Sequence, residues 1–328
     1  MRGLNAAIAG WGMAVPERRV TNTELSRRVD TSDAWIVDRT GIRERRVAGP
    51  GETTASLAIE AGAAAIKRAD LSPSDIGCCI VATCTPEQPM PPTSSFVQDG
   101  LGLRCGAFDL DAACSGFVYG LVIGASLVAT TGAPVLVVGS ETLSRITDPD
   151  DRSTCVLFGD GAGAVVLVPS AEPRLVAWDL GSDGSAASLL YVSAGGSRRP
   201  TTAATVAEGG HWLQMEGSEV FRRAVRAIVD SAATTLASAG LTADDVDVFV
   251  PHQANSRIID AAASRLGLPA DKAVVNIDRY GNTSAASIPI ALSEAAEAGR
   301  LHAGDLLLLS GFGAGMSWAS ALLRWGQD

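Results

Sequence analysis

In DLDAACSGFVYG, which begins at Asp109, a cysteine falls where an apolar strand gives way to a helix. If Cys114 opens that helix, the unpaired N–H groups and the positive end of the helix dipole favour its thiolate. A thiolate attacks thioesters and other acyl carbonyls, and the small Ser115 and Gly116 leave room for one to approach. Free cysteine is, as a type, more often a packed small hydrophobe, so other residues must decide. In VPHQANSRI, from Val250, Pro251 fixes the backbone at a strand end before His252, and Gln253, Ala254 and Asn255 lead into a helix. In RYGNTSAASIP, from Arg279, Gly281 permits a tight turn and Asn282 offers an amide donor. The same pattern also serves as a plain helix cap. Each stretch alone is a weak signal.

A domain-sized repeat would bring the three stretches together. LSPSDIGCCIVAT from Leu71 aligns with LTADDVDVFVPHQ from Leu241 at an offset of 170, and GAPVLVVGSETL from 132 aligns with GDLLLLSGFGAG from 304 at an offset of 172. Each copy follows a helical pattern, SLAIEAGAAAIKRA in the first and VFRRAVRAIVDSAATTLASA in the second. Helices alternate with strands, which argues for an α/β architecture. The expected boundary lies near Pro169 to Pro173, giving a half 1–172 with the cysteine and a half 173–328 with His252 and Asn282. In this alignment His252 takes the place of Ala82, and Cys114 falls close to the equivalent of Asn282 and Ser284. Ligands of open α/β sheets gather beyond the carboxyl ends of strands. One cleft between the halves is therefore expected to hold Cys114, His252 and Asn282.

Composition narrows the function classes. With 328 residues, 47% of them hydrophobic and 19% charged, the chain can bury one large or two ordinary cores. A net charge of −10 opposes binding to a phosphate backbone, so nucleic acid is not an expected partner. The six cysteines form no CxxC pair and the three histidines are far apart, so no zinc spacing occurs. Reduced thiols in a cytoplasmic protein are the expectation. The uncharged run from Ala112 to Ser140 is long enough to cross a bilayer, but Gly132-Ala133-Pro134 divides it into a helix near 115–131 and a strand at 135–139. A buried helix beside a buried strand accounts for it without lipid. The opening MRGLNAAIAGWGMAVPERR reads as strand and turn rather than as a secretory leader. Two glycine-rich stretches are decoys: GDGAGA at 159–164 lacks a following lysine, and GWGMAV at 10–15 runs into Pro16.

Together the stretches resemble the β-ketoacyl-acyl-carrier-protein synthase III family of condensing enzymes. The resemblance runs nearly end to end, through VDTSDAWIVDRTGIRERR from Val29, the cysteine segment, DDRSTCVLFGDGAGA from Asp150, VPHQAN, GNTSAAS, and GFGAGMSW from Gly311. It implies a thiolase-like fold of two pseudo-symmetric halves, each with a mixed sheet between helices, in five layers α-β-α-β-α. It also implies initiation of type II fatty-acid synthesis. An acyl-CoA acylates the cysteine, malonyl-acyl-carrier-protein loses CO2, and its enolate attacks the acyl-cysteine to give a β-ketoacyl product.

By that resemblance Cys114, His252 and Asn282 form the catalytic triad, and a second oxyanion hole uses the Cys114 N–H with an N–H of the GFGAG loop. Trp35 would stack on adenine beside Arg39 and Arg152, or else be a core aromatic of an amphipathic helix. Phe221, Ala254 and Phe312 would line the pantetheine tunnel, and Met90, Leu143 and Phe158 the acyl pocket. Met90 stands where some members contribute an aromatic across a homodimer, so branched or longer primers are expected beside acetyl. Arg222, Arg257 and Arg265 match basic positions that dock the acidic carrier protein, although Ser264 departs from a double-lysine version. Arg223 and Arg226 serve equally well as a solvated helix face. No cofactor is implied, since the CoA thioester is a substrate, and no membrane partner. The rival readings are a specialised-metabolism priming enzyme, a CoA-only condensing enzyme such as a thiolase, and a silent partner subunit. The last two fit the residues less well, because HQAN and GNTSAAS occur together and the cysteine is present.

Overall fold

Unbroken aliphatic runs build the strands at the centre of both halves, because a strand covered on both faces has no polar side to alternate. The computed structural model describes residues 3–326. The first sheet contains β1 (Ala6–Ala14), β2 (Cys78–Ala82), β3 (Gly106–Leu110), β4 (Val135–Thr142) and β5 (Asp160–Pro169), in the spatial order β1-β5-β4-β2-β3. The second contains β6 (Leu175–Ser182), β7 (Val248–Pro251), β8 (Leu306–Gly313) and β9 (Ser317–Arg324), ordered β7-β8-β9-β6. In the first sheet β2 runs parallel to β4, and β5 is antiparallel to both β4 and β1. In the second, β7 runs parallel to β8, and β9 is antiparallel to both β8 and β6. The order and sense agree strand for strand, so the sequence repeat is a repeat of structure. The exception is β3, which extends the first sheet beyond β2 and leaves an edge without counterpart.

The helices that bear on the site are α1 (Asp33–Thr40), α2 (Thr54–Arg68), α3 (Gly116–Thr131), α4 (Gly217–Ala239), α5 (Ser256–Leu266) and α6 (Ser287–Glu297). Helix α2 covers the outer face of the first sheet, where Leu57, Ala61 and Ile66 meet Leu136, Val138 and Val166. Helices α4 and α5 cover the outer face of the second, with Val225, Ile228 and Ile259 against Phe249, Leu308 and Leu322. Between the sheets lie α3 and α6, whose Phe117, Leu121, Ile288 and Leu292 join one core with Val137, Val165, Val250, Leu309 and Leu323. This is the five-layered arrangement that the family resemblance implies.

Helix α3 is the uncharged segment noted above. By length and composition, Ala113–Thr131 would cross a membrane, yet it is 67% buried between the two sheets. Its small residues set how close it comes: a Cβ on Gly124 would lie 2.8 Å from Val137 Cγ2. The helix ends at Gly132, whose φ of +72° supplies the left-handed cap that a residue with a side chain adopts reluctantly.

Candidate active site

Cys114 lies in a short 3-10 turn, Ala113–Ser115, that feeds directly into α3. Ala113 opens the turn with a φ of +46°, and its N–H donates to Asp111 Oδ1 at 3.0 Å. The turn is clamped from the other half, because the hydroxyls of Ser115 and Ser317 hydrogen-bond to each other at 2.8 Å. Gly311 and Gly313 let β8 pass against it: a Cβ on Gly313 would sit 2.4 Å from Cys114 N, and one on Gly311 3.1 Å from Cys114 O. Burial pushes the Cys114 thiol up to about 12; a hydrogen bond with Ser284 pulls the other way, and Glu141 and Asp111 add to the rise. The helix start favours the thiolate, as expected, while burial opposes it and raises the thiol's affinity for its proton.

His252 follows directly on β7, and its N–H bonds to Ser310 O of β8 at 2.8 Å. Its Nδ1 lies 2.6 Å from Ser287 Oγ at the start of α6. The Gln253 N–H donates to that same oxygen at 3.3 Å; a neutral ring that accepts the Ser287 hydrogen at Nδ1 carries its own proton on Nε2. Burial lowers the ring to about 3, so the imidazole is neutral at ordinary pH. Asn282 is fixed in the same manner. Its Oδ1 accepts the Ser284 N–H at 2.9 Å, so the Nδ2 amide is the end left to donate. Its backbone is tied to the loop at 157–159 by Asn282 N→Leu157 O and Gly159 N→Asn282 O, both 2.9 Å. Gly281 makes this approach possible, since a Cβ there would lie 2.8 Å from Leu157 O.

Cys114, His252 and Asn282 line one cavity of about 100 Å³, together with Phe158, Phe221, Ala254 and Phe312. A neutral thiol beside two neutral N–H donors suits a reaction that builds negative charge on an oxygen.

Comparison with known proteins agrees. Residues 108–184 match the family model for 3-oxoacyl-acyl-carrier-protein synthase III, and residues 236–325 match the model for its C-terminal part. The β-ketoacyl-acyl-carrier-protein synthase III of Roseiflexus castenholzii is 55% identical over 98% of both chains. The chain belongs to the β-ketoacyl-acyl-carrier-protein synthase III family. Two solved structures are similar throughout. The synthase III of Thermus thermophilus has a TM-score of 0.91 at 45% identity over 98% of this chain and all of that one. The priming β-ketosynthase of the R1128 polyketide pathway has a TM-score of 0.92 at 38% identity over 99% of this chain and 98% of that one.

The remaining residues singled out in this synthase III chain lie outside that lining, Phe158 apart. Trp35 is half-buried on α1, with the Arg152 guanidinium 5.0 Å and that of Arg39 5.8 Å from its ring centre. Arg152 is steadied by Asp30 O at 2.9 Å. Leu143 and Phe158 are buried in one cluster with Leu213, flanked by Cys84, Ile146, Leu190 and Met215. Met90 is 83% exposed and is not part of its own chain's cluster. On α4 each arginine is answered by an acid: Arg222 pairs with Glu219, Arg223 with Glu219 and Asp183, and Arg226 with Asp230. Arg257 lies over the Phe221 ring at 5.9 Å, and Arg265 is exposed in the last turn of α5. GDGAGA is packing, as read from the sequence: a Cβ on Gly163 would lie 2.6 Å from Ile290 N of α6.

Sequence reasoning missed three groups behind the triad, namely Ser287, Ser284 as a hydroxyl, and Glu141. Glu141 carried a signal. It is the first charge after the long neutral run and it ends the GSE of β4, yet it is fully buried.

Proposed function

We propose that the protein catalyses the first condensation of type II fatty-acid synthesis, joining an acyl-CoA primer to malonyl-acyl-carrier-protein with loss of CO2. Cys114 attacks the acyl-CoA thioester, the CoA sulfur leaves, and the acyl group rests on Sγ. Malonyl-carrier thioester then enters the same cavity. As its carboxylate leaves as CO2, charge gathers on the thioester oxygen and is met by His252 Nε2–H and the Asn282 amide. The enolate carbon attacks the acyl-cysteine and the sulfur departs. What carries this reading is that His252 and Asn282 line one cavity with Cys114, the Asn282 amide left to donate by the Ser284 N–H on its Oδ1 and His252 held through Nδ1 by Ser287. Each such preorganised donor contributes about 100- to 1,000-fold in rate. Charge met by two N–H groups calls for no metal or prosthetic group, and CoA enters as substrate.

The test is intact-mass spectrometry after mixing with acyl-CoA, alongside CO2 release from malonyl-carrier protein. Wild type should gain one acyl mass and Cys114→Ala none, while Cys114→Ala continues to release CO2. His252→Ala and Asn282→Ala should acylate and fail to decarboxylate. Absence of any adduct from wild type would overturn the reading.

Finer assignments follow from the same reading. The CoA adenine stacks on Trp35 between the guanidinium groups of Arg39 and Arg152, and its pantetheine arm passes Phe221, Ala254 and Phe312. Arg222, Arg257 and Arg265 receive the carrier protein, with Arg257 and Arg265 dominant because Glu219 already answers Arg222. The working form is a cytoplasmic homodimer joined along the β3 edge, where Phe108 is exposed, so that the partner's Met90 reaches the acyl pocket. A second reading, priming of a specialised pathway, is favoured by a cleft of about 580 Å³. It shares Leu190 with the catalytic cavity and offers room for an unusual primer.

A further inference from the structure

We propose that Arg45 is a positioning residue for decarboxylation: its buried guanidinium holds the loop that fixes Asn282, and so sets where the Asn282 amide meets the malonyl thioester oxygen. The proposal rests on the role given to Asn282 above. Arg45 is not part of the cavity lining, so it acts through its neighbours.

Asn282 hangs between two peptide groups of the adjoining loop. Leu157 O accepts its N–H and the Gly159 N–H donates to its carbonyl, both at 2.9 Å. Wherever that loop goes, the amide goes with it. The loop is held by Arg45, on the short strand Glu44–Arg46, whose Nη2 donates to Val156 O at 2.7 Å. The stem of the side chain lies against the crossing itself. A Cβ on Gly159 would be 3.2 Å from Arg45 Cβ, and one on Gly281 would be 3.3 Å from the same atom. The other end of the guanidinium is equally fixed. Its Nη1 donates to Val20 O at 3.1 Å and to Asn22 Oδ1 at 2.9 Å. Asn22 in turn donates through Nδ2 to Ile42 O at 2.7 Å and to Asp33 Oδ1 at 2.9 Å, in the first turn of α1.

Packing alone does not account for an arginine here. Arg45 is 1% exposed, its hydrogen-bonded acceptors are all neutral, and its Nε–H has no partner among the described residues. A buried cation without a countercharge is costly, and an apolar side chain of similar length would fill the space at less cost. What such a side chain cannot do is hold acceptors on separate segments at once in one rigid plane. That plane joins Val156 O to Val20 O and Asn22, so the loop beside Asn282 takes its position from the segment that anchors α1.

The test compares the two half-reactions in Arg45→Met and Arg45→Lys. Decarboxylation is followed by CO2 release from malonyl-carrier protein. Acylation, which uses Cys114 and not Asn282, is followed by single-turnover intact mass at saturating acyl-CoA. The ratio of decarboxylation to acylation rate should fall about 10- to 100-fold in Arg45→Met, as when a catalytic group is misplaced rather than removed. Arg45→Lys keeps the charge without the fork and should lie between Arg45→Met and wild type. It also carries the test should Arg45→Met not fold. Ile42→Val trims a fully buried neighbour and should leave the ratio unchanged, because instability alone scales both half-reactions together. Each Arg45 variant is then combined with Asn282→Ala. The double variants should release CO2 no more slowly than Asn282→Ala itself, since Arg45 acts through Asn282. An unchanged ratio in the Arg45 variants, an equal fall in Ile42→Val, or additive losses in the double variants overturns the positioning role alone. Wild-type CO2 release by Asn282→Ala overturns the functional reading and this proposal with it.

Discussion

Ala113 and Ser284 share a left-handed backbone conformation, φ +46° and +47°, at corresponding places in the two halves. Each begins a 3-10 turn that runs into a central helix, and the two turns pack against each other between the sheets. Such a conformation costs about 1–2 kcal/mol in a residue with a side chain, and both halves bear it at this point. In the first half it presents Cys114 to the cavity. In the second it turns the Ser284 N–H onto Asn282.

The buried imidazole makes stability depend on pH. His252 is held near 3 when folded and returns to about 6.5 when unfolded. The unfolded chain therefore binds the extra proton, and the contribution is complete above 6.5 and lost as pH falls from 6.5 towards 3. The slope is about 1.4 kcal/mol per pH unit for one such group. Melting temperatures of wild type and His252→Gln, compared between pH 8 and pH 4, should converge or cross on the acid side. Parallel curves would show that the ring is not desolvated.

Gly313→Ala should damage acylation more than decarboxylation. The added methyl meets the Cys114 backbone N at 2.4 Å, with no flexible side chain to give way. Overpacking of this kind costs about 1–3 kcal/mol, which a protein of this size survives folded. Gly311→Ala, with its nearest contact at 3.0 Å, should be milder. Thermal melts and single-turnover acylation of the two variants measure the difference.

Trp35→Ala should raise KM for acyl-CoA about tenfold, the loss expected for one stacked base. The same variant should leave turnover of an acyl-pantetheine substrate, which has no adenine, close to wild type. Equal losses on both substrates would return Trp35 to a packing role.

Primer choice should respond to Met90. Met90→Phe is expected to narrow selection towards acetyl-CoA, and Met90→Ala to widen it towards branched and longer acyl groups, in competition assays with mixed acyl-CoAs. Because Met90 is exposed on its own chain, the effect should require the homodimer proposed above and fade on dilution to monomer.

Much of this was legible in the residues. The repeat declared the two sheets because matching strands are spelled in matching apolar words, and the uncharged run declared α3 because only a doubly covered helix dispenses with charge. Cys114, His252 and Asn282 stood out through their neighbours, prolines and glycines that mark strand ends and turns. What stayed hidden was pairing at a distance. Nothing local to Ser287 says that its hydroxyl meets a histidine 35 residues earlier, and nothing in RRAVR on α4 says that acids on the same helix and just after β6 pair with it. The thiol's burial was hidden too, since desolvation comes from layers contributed by both halves.

The repeat also creates a second place. The relation that carries Ala82 onto His252 and Ala113 onto Ser284 carries Cys114 onto Ala285. Across the pseudo-axis, methyl groups stand where the working side has sulfur and imidazole, and β4 passes them closely: a Cβ on Gly139 would lie 2.3 Å from Ala285 O. The chain is symmetric in its scaffold and one-sided in its reactivity. Single occupancy is thus decided inside each polypeptide, before any question of communication between subunits arises.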